Sequence, residues 1–190
     1  MELAVLGGSL DPVHNGHVAM AEFVLAKKLA SRILVIPAFR SPFKSDSAAS
    51  ARDRLKMAHL AFDPCDQIAV DDLEIRRGGS SYMVETLQEL QRQNPESALR
   101  LILGADNLAG FFQWEKPEKI LSLAKILVLG RQGHALNIPA LHRDSFLLHP
   151  EFDQRVSSSE IRVMLAAGDP IGDLLPPTVA RYIQTNGLYL

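Results

Sequence analysis

Residues 7 to 17 read GGSLDPVHNGH. The types and spacing in this stretch admit three kinds of chemistry. His14 and His17 stand three apart, and on a helix such a pair shares one face, where two side chains could reach the same object. A metal would be one such object, but the chain has no HExxH pattern and only one cysteine, Cys65, so further ligands are missing. A helix-start turn with two satisfied structural histidines is the second reading. The third is a cradle for phosphate. Gly7 and Gly8 follow an apolar run directly, so the backbone can approach a ligand closely. A helix beginning just afterwards aims free N–H groups and the positive end of its dipole at the same place. Neither GxxxxGK[ST] nor GxGxxG is present, so the stretch is not a P-loop or a dinucleotide fingerprint.

A second anion-favouring helix start lies at the other end of the chain. Residues 156 to 162 read VSSSEIR, in which Ser157 and Glu160 have the S-x-x-E spacing of a capping box. The same residues supply three consecutive hydroxyls and, one turn later, Arg162, which together suit an anion. Two such starts on one chain suggest a polyphosphate held between them.

The elements that must position these residues alternate in type. Short apolar runs at residues 3–6, 33–36, 67–71, 99–103, 126–129 and 145–148 are strand candidates. Helical patterns cover 16–28, 51–61, 81–93 and 116–124. In the first helix, Val18, Ala21, Val24 and Leu25 form one stripe. Continuous apolar strands separated by helices predict an α/β fold, a Rossmann-like parallel sheet with helices on both faces. Two more helices, 158–167 and 177–185, each followed by a capping glycine (Gly168 and Gly187), predict a small helical C-terminal part. The 190 residues fit a single domain, with a core over about 1–150 and the helical part over about 151–190. The Pro-, Ser- and Ala-rich stretch 37–50 follows the carboxyl end of a strand, as a substrate loop would.

Composition narrows the partners. With 47% hydrophobic and 22% charged residues, the chain reads as a folded globular protein. A formal charge of −2, without a long Lys/Arg run, gives no footprint for nucleic acid or an anionic membrane. No apolar run approaches the roughly 20 residues of a membrane span, the start lacks a basic signal region, and a lone cysteine fits a reducing cytoplasm. A homo-oligomer is compatible with all of this.

With these residues in view, the chain resembles the bacterial nicotinate-nucleotide adenylyltransferases of the HxGH nucleotidylyltransferase superfamily. The matching stretches are GGSLDPVHNGH, LEIRRGGSSYMVETL, LRLILGADNL with Trp114, LVLGRQG, VSSSEIR and LLPPTVARYIQTNGLY. The resemblance implies a Rossmann-like fold and transfer of AMP from ATP to nicotinate mononucleotide, giving nicotinate adenine dinucleotide and pyrophosphate on the route to NAD. It implies Mg²⁺ carried with ATP and no dedicated protein metal site. On the ATP side it implies Gly7, Gly8, Ser9, His14 and His17, with His17 near the reacting α-phosphate. Gly104 and Asp106 would meet the adenosine, and Ser157, Ser158 and Arg162 the β- and γ-phosphates. His14, His17 and Arg162 would be the catalytic group. On the acceptor side it implies Lys44, Tyr82, Met83, Trp114 and Arg131, with Lys44 and Arg131 on the acceptor's phosphate and Trp114 packed on its ring.

The acceptor side departs from the family pattern. Where the family carries Asn and then Pro-Pro-His-Lys/Arg, this chain reads Ala38-Phe39-Arg40-Ser41-Pro42-Phe43-Lys44, and the family's Ser-Tyr-Thr becomes Ser81-Tyr82-Met83. Another phosphorylated acceptor, such as nicotinamide mononucleotide, and a non-catalytic nucleotide-binding module are therefore the competing expectations.

Overall fold

The computed structural model describes residues 1–43 and 47–190, so Lys44 lies outside the described residues. Six strands, β1 (Glu2–Gly8), β2 (Arg32–Pro37), β3 (Ile68–Val70), β4 (Ala98–Gly104), β5 (Ala124–Leu129) and β6 (Phe146–His149), form one sheet in the order β3-β2-β1-β4-β5-β6. Every pairing is parallel. The strand order turns back between β1 and β4, and at that switch point the two carboxyl ends, Gly8 and Gly104, open the crevice where α/β sheets bind ligands.

The helices are α1 (Asn15–Ala26), α2 (Ala51–Phe62), α3 (Leu73–Arg77), α4 (Met83–Gln93), α5 (Ala105–Leu108), α6 (Pro117–Leu123), α7 (Ser158–Ala167) and α8 (Pro177–Asn186). The period of two along the strands sorts the core into two layers. Leu3 and Val5 of β1, with Leu99, Leu101 and Leu103 of β4, pack under Val84, Leu87 and Leu90 of α4 and Ile120 of α6. Ala4 and Leu6 face the other way and pack with Ala21 and Val24 of α1, Met57, Ala58 and Phe62 of α2, and Ile161, Val179 and Ile183 of α7 and α8. Burial of each large aliphatic side chain contributes about 1.5–3 kcal/mol, so both faces of the sheet are committed by its central strands.

The strands and long helices fall where the apolar periodicity predicts them, and Gly168 and Gly187 cap α7 and α8 with φ of 72° and 59°. The pattern does not reveal α3 and α5, because five and four residues are too few to display a helical period. The expected capping box of α7 does not form: Ser157 is the N-cap residue but makes no side-chain cap bond. The next hydroxyl, Ser158 Oγ, instead donates to the Pro12 carbonyl at 2.9 Å, which docks α7 onto the opening loop.

Behind the sheet's carboxyl edge sits Arg54, only 1% exposed. It lies on the apolar stripe of α2 beside Met57, Ala58 and Phe62, where a charge needs partners. Its guanidinium donates to the carbonyls of Ser9 at 2.6 Å, Phe39 at 2.9 Å and Ala49 at 3.3 Å, joining the loops after β1 and β2. Burial lowers its pKa, while the nearby Asp11 carboxylate opposes that shift. Replacing Arg54 with Met is expected to destabilise the protein by about 3 kcal/mol, since three carbonyls lose a charged donor and Asp11 loses its neighbouring cation. Urea unfolding at pH 7 measures this, and a loss of less than about 1 kcal/mol would contradict the bracing role.

Candidate active site

Every described residue that the sequence nominated lines one cleft of about 1170 Å³ along the carboxyl edge of the sheet. The ends of the chain therefore meet, as the paired helix starts suggest. β1 delivers Gly7 and Gly8, the start of α1 the histidines, β4 Gly104, α5 Asp106, the turn after β5 Arg131, and the start of α7 its serines and Arg162.

The two histidines do not share a helix face as their spacing predicts. His14 is the N-cap of α1, with an extended backbone (φ −144°, ψ 170°), and His17 is the third residue inside. The turn nevertheless stacks their rings, with centroids 3.8 Å apart and planes inclined at 30°. Gly16 is required beneath them, because a Cβ there would lie 2.9 Å from the His14 ring. The His14 backbone N–H donates to His17 Nδ1 at 3.3 Å. In neutral His17 this bond puts the ring proton on Nε2.

His14 is 6% exposed, and its Nδ1 has no hydrogen-bond partner among the described residues. Burial, aided by the positive charge of Arg131, lowers its pKa from 6.5 to about 4. The ring is therefore neutral at pH 7, and an arriving anion would favour its protonation.

Two backbone-anchored guanidiniums, Arg162 and Arg131, and the Asp106 carboxylate frame this pair. Arg162 donates from Nη1 to the Asp11 carbonyl at 2.6 Å and from Nη2 to Ser159 Oγ at 3.3 Å. Arg131 pairs with Asp106 at 2.9 Å, so the residue that the family resemblance assigns to the acceptor's phosphate and the one it assigns to the adenosine stand side by side. The same guanidinium reaches the carbonyls of Arg155 and Val156, both at 3.4 Å, which ties the turn after β5 to the approach to α7.

The end of the cleft toward α4 and Trp114 is apolar. The Met83 methyl lies over Gly7, where a Cβ would come within 2.5 Å of it and oblige that flexible side chain to shift. Trp114, half-buried, follows a 3-10 turn (Phe111–Gln113), rests against Phe111 at 5.5 Å, and faces Phe43 with the ring centroids 6.3 Å apart.

Asp11, Arg54 and Tyr189 were not singled out by their sequence pattern. Asp11 is 5% exposed; its carboxylate accepts from Ala48 N–H at 2.8 Å, Ala49 N–H at 3.1 Å and the Tyr189 hydroxyl at 2.7 Å. Burial and that carboxylate raise the pKa of Tyr189, which keeps it a donor. For Arg54 the signal was present: a charge on an apolar helical stripe. Tyr189 had none, since its partner lies 178 residues away.

Comparison with known proteins gives one answer. Residues 5–164 match the cytidylyltransferase-like family. The chain is 40% identical over 196 residues to a protein of Roseiflexus sp. named "Probable nicotinate-nucleotide adenylyltransferase", covering 98% of this chain and 97% of that one. It is 34% identical over 201 residues to a protein of the same name from Chlorobaculum parvum, covering 100% and 99%. Among solved structures, the nicotinic acid mononucleotide adenylyltransferase of Plasmodium falciparum, complexed with NaAD, superposes with a TM-score of 0.80 at 19% identity. That superposition covers 99% of this chain and 97% of the other, and it establishes likeness of fold.

The state of His14 sets a pH dependence. Its folded pKa of about 4 lies below the 6.5 of the free side chain. Between those values the unfolded chain takes up a proton that the folded chain refuses, so stability is lost as pH falls through that window. From pH 7 to pH 4.5 the wild type is expected to lose about 2 kcal/mol more than His14→Gln, read from urea unfolding at both pH values. Equal losses in the two proteins would contradict the assignment.

Proposed function

The chain belongs to the nicotinate-nucleotide adenylyltransferase family, within the cytidylyltransferase-like enzymes, and from that premise we propose how its cleft transfers AMP from ATP to nicotinate mononucleotide. The convergence of both anion-favouring helix starts on one cleft at the β1/β4 switch point carries this reading. We read residues 1–190 as one nucleotidylyltransferase unit of the cytoplasm.

In this reading an oxygen of the acceptor's phosphate attacks the α-phosphorus of ATP. A new P–O bond forms, the bond from that phosphorus to the oxygen bridging to the β-phosphate breaks, and the electron pair leaves on pyrophosphate. The products are nicotinate adenine dinucleotide and pyrophosphate. The attacking phosphate is already anionic, so no protein nucleophile or general base is needed. The protein's work is alignment and compensation of charge.

His17 suits the α-phosphate. With its Nδ1 accepting from the His14 backbone, neutral His17 carries its ring proton on Nε2, a donor suited to the charge that grows on the phosphoryl oxygens during transfer. His14 stacks against it and meets the triphosphate. Ser157, Ser158 and Arg162 at the start of α7 hold the β- and γ-phosphates, and Gly7, Gly8 and Ser9 let the backbone close on them. Gly104 and Asp106 receive the adenosine. Arg131, beside both His14 and Asp106, stands between the nucleotides and suits a phosphate at the junction. Tyr82, Met83 and Trp114 receive the pyridine ring, with Lys44 on the acceptor's phosphate.

Mg²⁺ enters as part of the substrate, bound to the phosphates, where it offsets their charge. The donor set fits that role. Among the described residues there is no cluster of three His, Cys, Asp or Glu side chains, and the Asp11 and Asp106 carboxylates are engaged by amides, Tyr189 and Arg131.

Pyrophosphate release by the purified protein with ATP and Mg²⁺, comparing nicotinate mononucleotide, nicotinamide mononucleotide and no acceptor, tests the reading. A strong preference for the nicotinate form is expected. Release with neither acceptor would overturn it. His17→Ala is expected to lower turnover by about 10²–10³-fold, as for other lost transition-state donors; a loss below about tenfold would remove His17 from that role.

A further inference from the structure

Phe43 is a large apolar side chain left 58% exposed at the mouth of the cleft. That exposure leaves an apolar ring face available to a flat ligand. Its described ring neighbour is Trp114, at 6.3 Å between centroids and 28° between planes. Behind Trp114 stands Phe111, 0% exposed and packed edge-on against Phe146, so one plane is backed by the core.

The other plane is tethered through its loop. Phe39 N–H donates to Ser81 Oγ at 2.9 Å, Ser81 N–H donates to the Arg40 carbonyl at 2.8 Å, and buried Arg54 holds the Phe39 carbonyl. Ser81 directly precedes Tyr82 and Met83, so the loop that carries Phe43 is anchored, at Phe39 and Arg40, to the segment that forms the apolar end of the cleft.

The two rings are inclined at 28° with centroids 6.3 Å apart, short of the roughly 7 Å that a third flat ring needs between them, so the exposed Phe43 ring must swing slightly outward to admit one. The intended guest has a specific chemistry. The pyridine of a mononucleotide is alkylated at nitrogen and carries a positive charge, which the negative faces of aromatic rings attract.

We infer that Phe43 is a specificity-determining residue that forms, with Trp114, a two-sided aromatic clamp for an N-alkylated pyridinium ring. This rests on the acceptor reading above and adds a residue and a selection rule to it. The clamp grips a flat cationic ring from both faces, and it gains little from the neutral, puckered ring of the reduced dihydropyridine nucleotide. It is indifferent to whether the ring bears a carboxylate or an amide, so that discrimination falls to other groups.

Trp114 is the only tryptophan, so its emission reports on the clamp directly. The test is a fluorescence titration of the full chain with nicotinate mononucleotide in the presence of a methylene-bridged ATP analogue, for the wild type, Phe43→Leu and Phe43→Tyr. Saturable quenching is expected in the wild type. Phe43→Leu is expected to weaken acceptor binding about tenfold, Phe43→Tyr to restore it, and the affinity for the ATP analogue, read by calorimetry, to stay within about twofold in both. For the reduced nucleotide, Phe43→Leu is expected to make no difference. Acceptor affinity within about twofold of wild type in Phe43→Leu, or an equal fall in affinity for the ATP analogue, overturns the clamp and leaves the acceptor reading standing. A tenfold penalty on the reduced nucleotide as well overturns the selection for charge. Absence of any quenching in the wild type overturns the acceptor reading, and the clamp with it.

Discussion

The buried carboxylate of Asp11 is the junction on which the cleft depends. It belongs to the loop after β1, yet its oxygens are claimed by the amides of Ala48 and Ala49 in the loop after β2 and by the hydroxyl of Tyr189 next to the chain's end. Its backbone carbonyl receives Arg162 from α7. One residue thus joins the opening loop to three segments that lie between 37 and 178 residues further along the chain. Burial makes the arrangement demanding: a carboxylate removed from water is stable only when its lone pairs are met, so the segments are held together or the charge is stranded. Arg54 completes the junction from below by holding the carbonyls of the same two loops and offering a counter-charge.

From this junction the cleft acquires two ends of different character. Toward α7 it is polar, with hydroxyls, N–H groups, a stacked histidine pair and two guanidiniums whose backbone contacts fix their direction. Toward α4 and Trp114 it is apolar, floored by Met83 over Gly7 and walled by rings. A reaction that joins two nucleotides needs this kind of site, because the chemistry is already present in the substrates and what is scarce is alignment. The strain-free way to obtain it is to leave the helices and strands regular and place every functional group on the turns at one edge of the sheet.

Much of this was legible in the sequence. Periodicity reveals the parallel sheet and its long helices because both faces must be covered, and that requirement writes continuous apolar runs for strands and stripes for helices. The HNGH turn and the SSSEIR start are legible because an anion site needs small residues, hydroxyls and a helix terminus close together in sequence. The stacked geometry of His14 and His17 was not, because an N-cap turn rather than a helix face produces it. The partnerships of Asp11 with Tyr189 and of Arg131 with Asp106 were not either, since they form between loops brought together only by the fold, and no local period encodes a contact across 178 or 25 residues. Ser158 taking a loop carbonyl while Ser157 leaves its cap unmade is the same lesson in miniature: tertiary docking outweighed a local motif.

The most direct test of this account is the affinity of Asp11→Asn for each nucleotide, measured by calorimetry with a methylene-bridged ATP analogue and, separately, with nicotinate mononucleotide, at a temperature where circular dichroism shows the protein folded. Asparagine keeps the shape but presents an NH₂ group where the carboxylate accepted hydrogen bonds, so the loops after β1 and β2 and the seat of Arg162 should loosen together. The account predicts that both affinities fall, each by about tenfold. A fall at one end alone, or unchanged affinity at both, would contradict the claim that one buried carboxylate organises the two halves of the cleft.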